Sequence, residues 1–280
     1  MSVARGLRRL TLRALFALLL AAILAFSLFP LYYAGVTSVT PPGELFRAAL
    51  VPSGWTLEHY RTVLTGPFAY SILNSALVAA AVVAVSVGLA LGAGYALARI
   101  RFRGRGGVLF AILSVSMFPQ IAVLAGMFQL VRAFGLFDSL GALVFSYLTL
   151  TLPFAAWVLA TFARAIPREL EEAAALDGAG PLRIIGRIFV PLLQPALIAT
   201  GLLVFIAAWN EFLFALTFTL SDESRTVPVA IALLSGASAY ELPWGAITAA
   251  AVVVTVPIVS LALVFQRHIV SGLLAGAIKE

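Results

Sequence analysis

Three sets of residues in this 280-residue sequence are of types that could do chemistry. The densest is the stretch PRELEEAAALDGAGPLRIIGRIFVP at 167–191, where Glu169, Glu171, Glu172 and Asp177 precede Arg183 and Arg187. The second is Trp209, Asn210 and Glu211 in an otherwise apolar run, and the third is Gln120 beside Pro119. None amounts to a catalytic centre. Lys279, the only lysine, follows no glycine-rich loop of the kind in which a lysine reaches nucleotide phosphates. His59 and His268 are far apart and there is no cysteine, so neither a nucleophilic triad nor a His/Cys metal cluster is expected, and no cofactor. What remains is non-covalent chemistry: a charged surface suited to recognition, and a carboxylate in an apolar setting.

The elements that must position these residues are membrane helices. Apolar residues make up 62% of the chain and its mean hydropathy is +1.07, beyond the roughly 45–50% apolar content of soluble domains. Uncharged runs at 14–40, 62–98, 106–131, 139–163, 188–210 and 242–266 each supply the ~20 residues that cross a bilayer as helix. The expected fold is all-α and polytopic, a single membrane domain over 1–280. Its six spans are placed at about 14–36, 70–98, 107–131, 139–163, 192–218 and 243–266. Long continuous apolar runs do not fit a transmembrane barrel. The first run exceeds the h-region of a signal peptide and reads as a retained helix.

Fourteen of the eighteen basic residues then fall on one side. They are Arg5, Arg8, Arg9 and Arg13 before the first span, Arg99, Arg101, Arg103 and Arg105 after the second, Arg164, Arg168, Arg183 and Arg187 after the fourth, and Arg267 and Lys279 after the sixth. Arg47, Arg61, Arg132 and Arg225 take the other side. The positive-inside rule puts the larger set and both termini in the cytoplasm of a cell (inner) membrane, with the histidines on opposite sides. The net charge of +6 is thus a topology signal with some attraction to anionic lipid, and a nucleic-acid partner has no place in it.

The charged stretch reads as a cytoplasmic helical hairpin over 167–190. Pro167 and the three glutamates suit a helix start, Asp177-Gly178 a left-handed stop, and Pro181 a second start. Leu170, Ala173, Ala174 and Asp177 share one face of the first helix; Leu182, Ile185, Gly186 and Phe189 are expected to form the apolar face of the second, away from Arg183 and Arg187. Such a hairpin either docks on a partner protein or lies on lipid headgroups with its arginines snorkelling.

These residues resemble a known signature. Glu172, Ala173, Ala174, Gly178, Ile188 and Pro191 stand at the spacing of the EAA motif of permease subunits in binding-protein-dependent ABC importers; Val190 departs from its usual Leu. SMFPQ at 116–120, AWNEFLFAL at 208–216 and QRHIVSGLLAGAIKE at the C-terminal end extend the resemblance from about Leu57 onward. Together they resemble the second, six-helix permease of maltose- or trehalose-type sugar importers. The resemblance implies the type I importer fold and a non-catalytic subunit carrying a di- or oligosaccharide. It also implies a hairpin (Glu171 to Ala174, Leu176 to Gly178, Pro181, Arg183, Arg187, Ile188, Pro191) seated in a separate ATPase. The implied partners are a second permease, two ATP-binding subunits and an extracytoplasmic sugar-binding protein, within the lipid bilayer. The tail at 274–280 is expected either to fray or, by resemblance, to reach the ATPase.

Gln120, Trp209, Asn210 and Glu211 are candidates for the pathway or its gate, because a carboxylate inside a bilayer is costly and should face a bundle or a wet cavity. The alternative is that the fifth span ends near Asn210, with Glu211 as its cap, and that Pro119 makes a structural kink. Phe205, Trp209, Phe212, Phe214 and Tyr240 are of a kind that stacks on sugar rings, though such residues in spans more often pack or face lipid. Gly88, Gly92 and Gly94 are expected to let helices approach. A polyol or glycerol phosphate is the alternative solute. A secondary transporter is disfavoured by the lack of internal repeats.

Overall fold

The structure, a computed structural model, describes residues 2–45, 49–52, 54–234 and 242–277, with side chains from 11 to 267. Helix is the only regular structure among the described residues, and the chain forms two units: Met1–Gly66 with Leu234–Thr255, and Pro67–Leu233 with Val256–Glu280.

In the first unit, α1 (Ser2–Val39) is exposed on every face from Thr11 to Tyr32, as suits a helix whose solvent is lipid or another subunit. Its end is tied to α2 (Glu58–Thr65) by Ser38 Oγ and Tyr60 OH at 2.7 Å and by His59 Nε2 and the Thr40 carbonyl at 3.0 Å. The His59 ring lies over Gly245, where a Cβ would come within 2.3 Å of it. Glycine is required there because the ring occupies the space of any side chain.

The second unit is built on α3 (Phe68–Arg99) and α6 (Leu140–Ala163). Buried Ser71, Ser75, Val78, Val82, Ser86, Ala90, Gly94 and Leu97 recur every three or four residues along α3, and Ala142, Ser146, Thr151, Ala155, Leu159 and Ala163 every four or five along α6. These small residues let the backbones close up where hydrophobic contrast with lipid gives no driving force. Ser86 Oγ meets Thr151 Oγ1 at 2.8 Å, and Gly94 lies so close to Leu159 and Ala160 that a Cβ would sit 3.1 Å from their backbone. Gly88 and Gly92 have nothing within 4 Å of that position, so the expected close approach falls on Gly94 alone of the three. Contacts ascend together along both helices, so α3 and α6 run parallel and end on the same side.

The run expected as one span at 107–131 is two helices, α4 (Arg105–Ser116) and α5 (Gln120–Ala133), bent by 92°. Pro119 causes the break: it has no N–H to continue the ladder and stands in extended conformation at ψ 125° before α5. Beyond α6, α7 (Glu169–Leu176) and α8 (Pro181–Leu192) form a hairpin, and α9 (Gln194–Trp209) turns 82° from α8 between Pro191 and Pro195. The fifth span does not continue past the carboxylate. It ends at Trp209, and α10 (Leu213–Phe218) begins after a break. The apolar middle of the following loop forms α11 (Val227–Ala232), and α12 (Trp244–Ala277) closes the chain. Among the described residues, four helices are long and apolar enough to cross a membrane, and the two bent pairs raise this to six if each counts as one span.

Candidate functional site

The hairpin turns as its sequence dictates. Gly178 is left-handed at φ +78°, its N–H donates to the Ala175 carbonyl at 3.0 Å, and the Ala179 N–H donates to Ala174 at 2.9 Å. These two bonds are a Schellman motif, which satisfies the carbonyls that end α7. Within α8, residues Ile185–Phe189 form a π turn. The extra residue rotates the face beyond it, so the buried side of α8 is Ile184 and Phe189 with Ile188 partly buried. The four residues expected to share one apolar face are split: Phe189 is buried, Ile185 half-buried, and Leu182 is 86% exposed. Leu176, at the other side of the turn, is 89% exposed. Two large apolar side chains thus flank a tip whose other side chains, Asp177, Pro181 and Arg183, are also exposed.

The base of the hairpin is fixed by a residue that sequence reasoning took only as a topology marker. Arg99, in the last turn of α3, pairs with Glu171 of α7 and donates through Nη2 to the Ile166 carbonyl at 2.6 Å. Its guanidinium lies 5.2 Å from the centre of the Phe189 ring, against which Tyr95 packs edge-on at 5.0 Å. Beneath them Ala98, Ala163, Ile166, Ile184, Phe189 and Leu193 form one apolar cluster. One guanidinium therefore joins α3, the end of α6, α7 and α8. Four exposed residues of the expected set, Glu172, Ala173, Arg187 and Leu176, lie outside this cluster, while Ala174 and Ile188 pack against it.

Glu211 is 7% exposed, and three donors meet its carboxylate. The Phe214 N–H donates to Oε1 at 2.8 Å and the Ala215 N–H to Oε2 at 3.1 Å, so Glu211 caps the start of α10. Gln120 Nε2, at the start of α5, donates to Oε1 at 2.5 Å. The breaks in two bent or interrupted spans are thereby held together by one carboxylate, which compensates its desolvation with helix-end N–H groups and an amide rather than a cation. Trp209 is buried and stacks with Phe205 at 5.4 Å, and its Nε1 has no hydrogen-bond partner among the described residues. Asn210 is exposed and folds back onto the Ile206 carbonyl at 2.8 Å. Of the other aromatics, Phe214 is fully buried, stacked on Phe218, and Tyr240 lies outside the described residues.

The segment after α10 is held from two sides. Asn74 Nδ2 donates to the Glu223 and Arg225 carbonyls at 2.7 and 2.9 Å, and Asp138 accepts from Ser224 Oγ and from the Leu220 and Ser221 N–H groups. Burial pushes the Asp138 carboxyl up, but these donors outweigh it and hold it at about 2. Asp138 is also left-handed, at φ 58°.

A family model described as "Binding-protein-dependent transport system inner membrane component" matches residues 86–274, which include both the hairpin and Glu211. The chain belongs to that family. This inner membrane component is 40% identical to a trehalose/maltose transport system permease protein of Thermococcus litoralis, over 90% of this chain and 91% of that one. It is 38% identical to a trehalose transport system permease protein of Mycobacterium tuberculosis, over 98% and 99%. Its fold matches a chain of a bacterial ABC transporter involved in the import of the acidic polysaccharide alginate, with a TM-score of 0.81 at 23% identity over 92% of this chain and 96% of that chain. It is thus a multi-pass membrane protein and a transport component. Neither Arg99 nor Asp138 carried a sequence signal for its role; an arginine one turn from a span's end and an aspartate before an N-cap serine are ordinary features.

Proposed function

We propose that this chain is the permease subunit of an ATP-driven importer of a di- or oligosaccharide, forming half of the pathway and coupled to a separate ATPase through the α7–α8 hairpin. The carrying observation is the pairing of a braced base with an exposed tip. Arg99 fixes the hairpin to the ends of α3 and α6, while Leu176 and Leu182 present apolar surface to a partner. Force applied at the tip then reaches the spans without being absorbed by a soft connector. The sugar follows from the trehalose and maltose permeases it is similar to.

Two ATP-binding subunits, a second permease and an extracytoplasmic sugar-binding protein complete the complex. The arginine-rich side, hairpin and termini face the cytoplasm. ATP closes the paired ATPases, and seated hairpins carry the spans from inward to outward, a change driven by differential affinity for the two states. Gln120, Trp209, Asn210 and Glu211 stand at the break where a gate would act, with the Gln120–Glu211 bond holding the described conformation.

The test is Gly178→Asp in the complex reconstituted with its partners in lipid. Nothing lies within 4 Å of the added Cβ, so the charge projects from the tip, and the left-handed backbone adds only about 1 kcal/mol of strain. Trehalose- or maltose-stimulated ATP hydrolysis is expected to be lost with membrane insertion intact. Full stimulation in the variant overturns the coupling role.

A further inference from the structure

We propose that the arginine rim where α3 and α6 end binds the phosphate of an anionic lipid headgroup. Arg105 donates through Nη2 to the Ala98 carbonyl at 3.2 Å, which seats it over the Ala98–Ala163–Ile166 cluster. It lies within electrostatic reach of Arg99, Arg164 and Arg168. Arg99 is neutralised by Glu171, but the guanidinium groups of Arg101, Arg103, Arg164 and Arg168 have no acidic or hydrogen-bonded partner among the described residues. Like charges gathered without counter-ions repel, and a guanidinium cluster matches a phosphate in both charge and planar donor geometry.

A second, independent feature fixes the source of that phosphate. The chain leaves α3 extended at Ile100, ψ 126°, and the next residues alternate: Ile100 and Phe102 are 53% and 42% exposed, with Arg101 and Arg103 between and after them. All four side chains are exposed, so apolar and basic surface lie side by side immediately beyond the end of α3. An acyl surface and a headgroup phosphate satisfy both kinds of surface at once; a free phosphate satisfies only one.

The test uses the complete importer in detergent and native mass spectrometry, with phosphatidylglycerol, phosphatidylcholine and inorganic phosphate as probes. Wild type is expected to retain phosphatidylglycerol over phosphatidylcholine. Arg101→Gln with Arg103→Gln is expected to weaken retention about thirty-fold, from about 1 kcal/mol per arginine near an anionic surface. Phe102→Ser, which keeps every charge, is expected to weaken it less but measurably. Co-elution of all subunits checks assembly. Competition by millimolar inorganic phosphate makes the rim a free-anion site, and indifference to lipid charge removes the site; either overturns the proposal. Loss of the ATPase subunits from the double variant with lipid retention unchanged assigns these arginines to the protein partner, and also overturns it.

Discussion

Replacing Arg99 with Met should loosen the hairpin without unfolding the membrane core. The substitution keeps an apolar stem over Phe189 and removes the guanidinium that pairs with Glu171 and donates to the Ile166 carbonyl. The two paired side chains are only 9% and 13% exposed, so water does not readily replace the lost partner. Charge-assisted hydrogen bonds contribute about 1.5–3 kcal/mol, and breaking a buried pair costs about 3–5 kcal/mol because one charge is left unpaired. With some water reaching Glu171, about 3 kcal/mol is the expected loss, on the order of a hundred-fold in local opening. Hydrogen exchange reads this directly. The Glu171, Asp177 and Ala179 amides, bonded to Arg168, Ala173 and Ala174, should exchange about a hundred times faster in the assembled complex, while Ser86 and Thr151 at the α3–α6 interface keep their protection. Glu171→Gln should loosen the same amides, and the double variant should cost less than the sum. Unchanged exchange in Arg99→Met, or strictly additive single effects, would refute the brace.

Glu211→Gln places an amide donor against the Ala215 N–H and should slow sugar uptake. Pairing it with Gln120→Glu reverses the donor and acceptor across α5 and should recover part of the rate, which a merely destabilising change would not show. Gly94→Val forces side-chain atoms into the Leu159–Ala160 backbone and is expected to lower the thermal midpoint of the complex, whereas Gly92→Val, in open space, should leave it nearly unchanged. For Asp138 the folded carboxyl is depressed from 3.8 to about 2, so its contribution is fully present above about pH 4 and is lost as pH falls toward 2. Limited proteolysis at 219–226 should therefore quicken across that window, and Asp138→Asn should show the faster cleavage at neutral pH.

Much of this protein was legible one residue at a time. Composition and run length require membrane helices, because long continuous apolar runs do not alternate as barrel strands must and so satisfy their backbone in lipid as helix. Basic-residue placement yields a topology in which α3 and α6 end on one side, as their parallel packing requires. The hairpin's turn was equally local: Asp177 and Gly178 specify a left-handed stop whatever surrounds them.

Other features depended on partners far along the chain. Period alone put Leu182 and Phe189 on one apolar face of α8, and the π turn that brings Ile184 and Phe189 to a common buried side answers to packing against Ala98 and Ala163. Whether Glu211 ends a span, caps a helix or faces a pathway turns on Gln120, 91 residues away. Arg99 reads as a positive-inside marker until Glu171 and Ile166, 72 and 67 residues later, fold beneath it. Local sequence determines where a helix can start, stop and cross. Which buried donors meet which acceptors is decided only when the spans pack, because desolvation makes each polar group depend on whatever neighbour the fold brings within about 3 Å.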